Sequence, residues 1–395
     1  MKLFSKYSLS LLSIFIVSNA TVVSNVAVAA PSIVPSPPSL GSKGYVLIDF
    51  NSGDVLVEKN AHTKLNPASL TKLMTSYVAG QEMKRGNISA DDQVRISENA
   101  WAKNFPDSSK MFIEVNTDVA MMDLYRGLIV QSGNDASVAI AEHVAGSQGA
   151  FVDLMNSWAV SLKLENTHFS NAHGLDADDL YSTPYDIALL GRAIIRDLPD
   201  VYDLYSERSF SYNGITQHNR NGLLRDRSLT VDGMKTGYTS GAGYSLASSA
   251  TQGEMRLIAV VMGASSVKSR ESDSKQLLSY GFRFFDTLHP HQSGEQVAEE
   301  KVWFGAQDKL KLGVAKDTFI TLSKSDSKKL TASIELDSEI KAPIAEGQTL
   351  GVVHYMVDGE DVQTQPLIAL EAVEQGSFLK RLMDYVKLFF ASLFK

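Results

Sequence analysis

A serine hydroxyl is a poor nucleophile until a base takes its proton, and Pro67-Ala-Ser-Leu-Thr-Lys72 offers such a pair. Ser69 and Lys72 stand three residues apart, on one face of any helix that begins there. To act as a base, Lys72 must be neutral at working pH, a state favoured by burial and by a second cation nearby. A helix N-terminus at Ser69 would add positive dipole where negative charge develops during acylation. The spacing alone singles nothing out, because Ser-x-x-Lys recurs at Ser265, Ser272, Ser325, Ser338, Ser377 and Ser392.

Two further runs bear on the choice. Ser132-Gly-Asn134 can project a hydroxyl and an amide into a cleft, although taken alone it reads as a helix cap. Lys235-Thr-Gly237 supplies a cation and a hydroxyl suited to a substrate carboxylate, with a glycine that leaves room for an extended peptide. Taken alone, it is a turn entering a strand.

The elements that must position these residues follow from periodicity. Tyr45–Phe50 and Val55–Glu58 are short strand-like runs flanking the turn Asn51-Ser-Gly-Asp54, a hairpin signature. Apolar residues at helical spacing predict helices over Leu70–Lys84, Asp118–Gln131, Ala136–Ala145, Phe151–Lys163 and Pro184–Arg196. Tyr244–Ala250 and Met255–Met262 read as neighbouring antiparallel strands, followed by a helix near Ser274–Thr287. The body is therefore α/β or α+β, with an antiparallel sheet and a helical block.

Beyond His289-Pro290, alternating runs such as Phe319–Leu322, Leu330–Leu336, Gly351–Tyr355 and Pro366–Leu370 predict a small all-β sandwich. In the last segment Phe378, Leu379, Leu382, Met383, Val386, Phe389, Phe390, Leu393 and Phe394 share one helical face. Lys380, Arg381, Asp384, Lys387 and Lys395 share the other, the pattern of a helix that lies in a membrane surface.

Composition narrows the function classes. The chain has 395 residues, 44% hydrophobic and 21% charged, as in ordinary folded proteins. Lys2 and Lys6 before the apolar run Leu9–Val17, with Ala27-Val-Ala29 after it, predict a secretory signal peptide over 1–29. The proline-rich stretch that follows predicts a spacer over 30–41. What remains carries 35 basic and 45 acidic residues, a balance that disfavours nucleic acid as partner. There is no cysteine, hence no thiolate nucleophile and no disulfide, and no His-x-x-x-His pair suggests a metal. The expected domains are a catalytic one over 42–288, a β-sandwich over 289–376 and an anchor helix over 377–395.

Taken together and in this order, the three motifs resemble the Ser-x-x-Lys, Ser-x-Asn and Lys-Thr-Gly signature of penicillin-binding proteins and serine β-lactamases. More narrowly, Asn66-Pro-Ala-Ser-Leu-Thr-Lys-Leu-Met74, Gln217-His-Asn-Arg-Asn-Gly-Leu-Leu224, Val231-Asp-Gly-Met-Lys-Thr-Gly237 and Gly281-Phe-Arg-Phe-Phe285 look like the low-molecular-mass D-alanyl-D-alanine carboxypeptidases. The resemblance implies a β-lactamase/transpeptidase-like catalytic domain that removes the terminal D-alanine of peptidoglycan stem pentapeptides and is acylated by β-lactams, without a cofactor. It implies Ser69 as nucleophile, Lys72 as general base and Ser132 as proton relay. Asn134 would bind the substrate amide, Lys235 and Thr236 the terminal carboxylate, and the N–H groups of Ser69 and Tyr238 the oxyanion.

Arg256 resembles an arginine that helps bind that carboxylate. Where the family often has histidine after Lys-Thr-Gly, this chain has Tyr238, a departure that bears on substrate preference and deacylation. The resemblance further implies the periplasmic face of a bacterial inner membrane. A β-lactamase, a D,D-endopeptidase and an envelope scaffold with a vestigial site are the alternatives.

Overall fold

The computed structural model describes residues 34–393, so the leader expected over 1–29 lies outside the described residues. The chain opens with the hairpin β1 (Gly44–Asp49) and β2 (Val55–Lys59), closed by a turn in which the Asp49 carboxylate accepts from the Ser52 N–H at 2.8 Å. Next comes α1 (Thr71–Lys84), then a ribbon of β3 (Gln93–Arg95) and β4 (Asp118–Ala120). The helical block continues with α2 (Met121–Arg126), α3 (Asn134–Ala145), α4 (Gln148–Ser161), α5 (Pro184–Asp197) and the short α6 (Pro199–Asp203). A small hairpin, β5 (Ser209–Tyr212) with β6 (Ile215–His218), precedes the long strands β7 (Thr230–Thr239), β8 (Gly243–Gln252) and β9 (Met255–Ala264), and α7 (Val267–Phe284) follows them.

The central sheet is five-stranded and antiparallel, in the order β2-β1-β9-β8-β7. Its faces can be read from two glycines. Gly191 of α5 abuts Met234 and Ile258, whereas Gly281 of α7 abuts Leu257 and Leu47. Leu257 and Ile258 are consecutive on a strand and point to opposite faces, so α5 and α7 cover opposite sides. That is why Leu257–Met262 is a continuous apolar run, wholly buried, rather than an alternating one.

Two helical expectations are corrected. The stretch Asp118–Gln131 is not one helix: residues 118–120 pair with β3, α2 ends at Arg126, and Gly127–Gln131 is a wide π turn. The Met111 side chain fills the space beside Gly127, where a Cβ would lie 2.3 Å from its sulfur. α7 starts at Val267, seven residues before the expected Ser274, because Ser266 caps it by accepting from the Ser269 N–H at 3.0 Å. The proline-rich stretch is not wholly a free spacer, since the Tyr280 hydroxyl donates to the Pro35 carbonyl and Leu40 is buried.

From Phe285 onward the structure is β-rich. It comprises β10 (Phe285–His291), β11 (Gln296–Lys301), β12 (Lys309–Val314), β13 (Thr318–Ser323), β14 (Thr331–Leu336), β15 (Thr349–Val357) and β16 (Glu360–Ala369). A five-stranded sheet, β11-β12-β16-β15-β14, and the pair β10-β13 enclose a separate apolar core that includes Val302, Leu312, Val353, Tyr355 and Leu367. Strand pairing therefore begins at Phe285, before the expected boundary at 288. Polar bonds tie this part to the first hairpin: Thr287 donates to Asp49, and the Ser52 and Thr321 hydroxyls lie 2.8 Å apart.

The chain ends in α8 (Phe378–Leu393). Its polar side is bound to the β-rich part, with Asp384 accepting from the Phe304 N–H at 3.0 Å and Lys380 paired with Asp308 at 2.8 Å. Phe378, Leu379, Leu382, Met383, Val386, Phe389 and Phe390 are left exposed. Among the described residues, no helix is long and apolar enough to cross a membrane.

Candidate active site

Ser69 lies in a short 3₁₀ turn, Ala68–Leu70, that leads directly into α1. The turn is held from several sides. Asn66 accepts from the Ala68 N–H at 2.8 Å, and Leu70 donates to the Pro67 carbonyl at 3.0 Å. Ala68 has a φ of 48°, a left-handed conformation that costs an L-residue energy and persists because its surroundings fix it. Gly174 is one of those surroundings: a Cβ there would sit 1.9 Å from the Ala68 carbonyl. Gly237 is another, since its Cβ would meet the Pro67 carbonyl at 2.9 Å. Strand β7 and the nucleophile turn thus touch only because residue 237 lacks a side chain.

Lys72 is buried in the first turn of α1, and its Nζ has three neighbours. These are the Ser69 Oγ at 3.0 Å, the Asn134 Oδ1 at 2.7 Å and the His173 carbonyl at 2.5 Å. The amide and carbonyl oxygens can only accept. A neutral amine has two N–H bonds and one lone pair, so donating to both oxygens leaves the lone pair facing the Ser69 hydroxyl. That is the arrangement a general base requires.

Charge supports the neutral state. Burial pushes the Lys72 amine from 10.5 down to about 7, aided by the Arg220 guanidinium and opposed by Asp135. Burial, with Lys72 beside it, also holds the His173 imidazole down at about 3. His173 is therefore neutral, and its Nδ1 accepts from the Leu175 N–H at 3.1 Å; it braces the loop rather than exchanging protons.

The second motif closes the other side. The π turn delivers Ser132 in a left-handed conformation, φ 62°, immediately before α3. Such wide turns recur at functional sites because they re-aim a side chain. Asn134 bridges two elements: its Oδ1 accepts from Lys72 and its Nδ2 donates to the Ser108 Oγ at 2.9 Å. It positions Lys72 through Oδ1, and its Nδ2 carries a second N–H besides the one given to Ser108. Asp135 is buried and accepts from the N–H groups of Met111, Phe112 and Ile113, which pins the 105–113 loop to α3. His143 pairs with Asp92 and Glu142 with Ser97, so both belong to structural networks.

The third motif forms one wall. Thr236, Gly237 and Tyr238 line a cleft of about 890 Å³ together with Ser69, Ser132 and Asn134. Lys235 is buried beside them, its Nζ donating to the Thr236 carbonyl at 3.2 Å. Burial, with Lys72, Arg220 and Arg270 close by, holds its amine well below the usual lysine range. Arg220 and Arg270 line the cleft close to Lys235, which makes that end a place prepared for an anion.

Arg256 does not belong to that group, and the expectation placed on it is corrected. Its Nη1 pairs with the Asp232 carboxylate at 2.6 Å and donates to the Ser249 Oγ at 2.8 Å, and it does not line the cleft. Arg220 and Arg270 line it instead. Arg270 is buried, donates to the Gly237 carbonyl at 3.3 Å, and keeps a buried Nε without a partner among the described residues. One signal for it exists in the sequence: Lys268 and Arg270 occupy the opening of a helix without an acid in its first turn, where the dipole disfavours cations.

Comparison with known proteins places this geometry among relatives. A family profile described as D-alanyl-D-alanine carboxypeptidase matches residues 32–266, and one described as penicillin-binding protein 5, C-terminal domain, matches 285–375. The chain is 49% identical over 363 residues to the D-alanyl-D-alanine carboxypeptidase DacA of Escherichia coli strain K12, covering 91% of this chain and 90% of that one. Penicillin-binding protein 5 from Haemophilus influenzae superposes with a TM-score of 0.83 at 48% identity, over 86% of this chain and all of that one. Penicillin-binding protein D2 from Listeria monocytogenes, solved in its cefotaxime-bound form, gives 0.58 at 28% identity over 63% of this chain and 100% of that one.

Proposed function

Since this chain belongs to the D-alanyl-D-alanine carboxypeptidase family of penicillin-binding proteins, we propose how its residues divide that reaction among them. It is a serine-type D-alanyl-D-alanine carboxypeptidase. The observation that carries the assignment of roles is the single Nζ of Lys72, committed to two acceptors and facing the Ser69 hydroxyl.

The Lys72 lone pair takes the Ser69 proton as Oγ attacks the carbonyl carbon of the penultimate D-alanine of a peptidoglycan stem peptide. The N–H groups of Ser69 and Tyr238 stabilise the oxyanion that forms. As the carbon–nitrogen bond breaks, the proton passes from Lys72 through Ser132 to the departing amine, leaving an ester on Ser69. Water then attacks that ester, the lysine taking its proton and returning it to the Ser69 oxygen as the acyl carbon–oxygen bond breaks, and the shortened peptide leaves. Arg220 and Arg270, with Lys235 and Thr236, hold the substrate's terminal carboxylate. A β-lactam carries a comparable amide and carboxylate but its amine stays tethered after ring opening, so its adduct persists.

The test uses the protein without residues 1–29, a pentapeptide ending in D-alanyl-D-alanine, and a labelled penicillin. Free D-alanine and a lasting adduct should both appear, and both should vanish in Ser69→Ala. An unchanged peptide, or an adduct that survives the substitution, would overturn the assignment.

The protein acts, in this reading, after export, at the periplasmic face of the inner membrane. The apolar side of α8 is exposed while its polar side is tied to the β-rich part, which favours a helix lying flat in an anionic lipid surface. Deleting residues 377–395 should move the protein from the membrane to the soluble fraction. An unaltered distribution would sink the anchor.

A further inference from the structure

Of the run Gln217–Leu224, Arg220 lines the cleft, and it is exposed there. The asparagines on either side of it, Asn219 and Asn221, are buried and do not line the cleft. A long, exposed side chain keeps one place only when its backbone is held. The two amides hold it.

Asn219 closes the backbone over Arg220. Its Oδ1 accepts from the Asn221 N–H at 2.9 Å, an asparagine turn with Arg220 at its centre. Its Nδ2 donates to the Glu207 carbonyl at 3.0 Å, and its own N–H donates to the Arg208 carbonyl at 2.8 Å. Asn221 repeats the device: its Oδ1 accepts from the Leu223 N–H at 3.1 Å, and its Nδ2 donates to the Gly233 carbonyl at 2.9 Å. Gly233 lies on β7, the strand that carries Lys235. From the other side, Glu271 of α7 accepts from the Gly222 N–H at 3.1 Å, in a space where a Cβ on residue 222 would lie 2.3 Å from its Oε1. Arg220 is therefore tied both to the strand of Lys235 and to the helix of Arg270.

This tether fixes how far the guanidinium stands from two amines. The Arg220 cation lowers the proton affinity of Lys72 and of Lys235, and such an effect weakens as charges move apart. The other groups that face Lys72 are Asp135 of α3, which opposes Arg220, the neutral His173 imidazole, and Lys235 of β7, whose own amine Lys72 helps to hold down. Among these, Arg220 alone is exposed, so its place depends most on the backbone beneath it.

We propose that Asn219 and Asn221 are positioning residues for the reaction, which act by holding Arg220 over the cleft, where it receives the substrate carboxylate beside Lys72. This rests on the reading of Lys72 as the base.

Asn219→Ala, Arg220→Ala and the double variant test it, each in the full-length protein, through the pH dependence of acylation by a fluorescent penicillin at low ionic strength. At pH 7, Asn219→Ala should acylate about tenfold more slowly than wild type, within the range for coupled neighbours. Its midpoint should rise above the wild-type value of about 7, because a cation no longer held close leaves Lys72 protonated to higher pH. In the Arg220→Ala background the same substitution should change the rate by no more than about twofold, since no arginine is left to place. Asn219→Ser, whose hydroxyl closes the same turn more weakly, should recover part of the rate. A thermal melt reports that each variant is folded, and Asn221→Ala puts the same question if Asn219→Ala is not. A rate lowered equally at every pH, or a loss as large without Arg220 as with it, would make the asparagines merely structural and overturn the proposal alone. A wild-type profile with no midpoint near 7 would overturn the reading of Lys72 and the proposal with it.

Discussion

Replacing Lys72 with methionine should slow acylation of Ser69 by about 10³-fold or more, for peptide and penicillin alike. Both reactions begin with the same step, loss of the Ser69 proton as its oxygen attacks, and a positioned general base is worth roughly 10² to 10⁴ in rate. Among the described residues, neither of the nearby basic side chains is placed to substitute. His173 presents its carbonyl, not its ring, to Lys72, and its imidazole is held at about 3 by burial. Lys235 donates to its neighbour's carbonyl from within strand β7. Stopped-flow or quenched acylation measures the effect, with a thermal melt to show that the variant is folded. Retention of more than a tenth of the wild-type rate would mean that the base is elsewhere.

Substituting Arg270 with alanine should lower kcat/KM for D-alanine release by about 100-fold, the usual cost of removing one partner from a buried, hydrogen-bonded charge pair. Penicillin acylation should fall as well, because the drug also carries a carboxylate. The corresponding change at Arg256 should leave kcat/KM within a few-fold of wild type and instead lower the melting temperature, since Asp232 would lose the cation that neutralises it. The pair of variants separates the arginine that faces the cleft from the one that does not. The reverse outcome, with Arg256→Ala the more damaging to catalysis, would restore the reading that the sequence suggested.

That contrast shows what could be read before the fold was known. Ser69 and Lys72 share a helical face whatever surrounds them, and the Lys-Thr-Gly run lies in a strand by its own pattern, so local periodicity located both. The neighbours of Arg256 are a different matter. Asp232 is on β7, two strands from β9 with β8 between them, and no alternation along a single strand reports a diagonal pair of that kind. Arg270 was obscured because Lys268, Arg270, Glu271 and Asp273 give the first turns of α7 little apolar rhythm, which delayed its expected start to Ser274.

The π turn ahead of Ser132 was equally hidden. It depends on Met111 packing beside Gly127, a contact between segments 16 residues apart that leaves the helical spacing of the apolar residues intact. The double engagement of Asn134 also required three dimensions, since its partners Lys72 and Ser108 come from separate elements.

The central claim is that Lys72 is neutral when Ser69 reacts, and the pH dependence of wild-type acylation by a labelled penicillin tests it most directly. Protonation of Lys72 removes the lone pair, so the second-order rate constant should drop tenfold per pH unit below the amine's pKa and level off above it. With burial and Arg220 holding that amine at about 7, the midpoint should fall near 7. A rate constant that climbs steadily up to about pH 10, where an ordinary lysine loses its proton, would contradict the account.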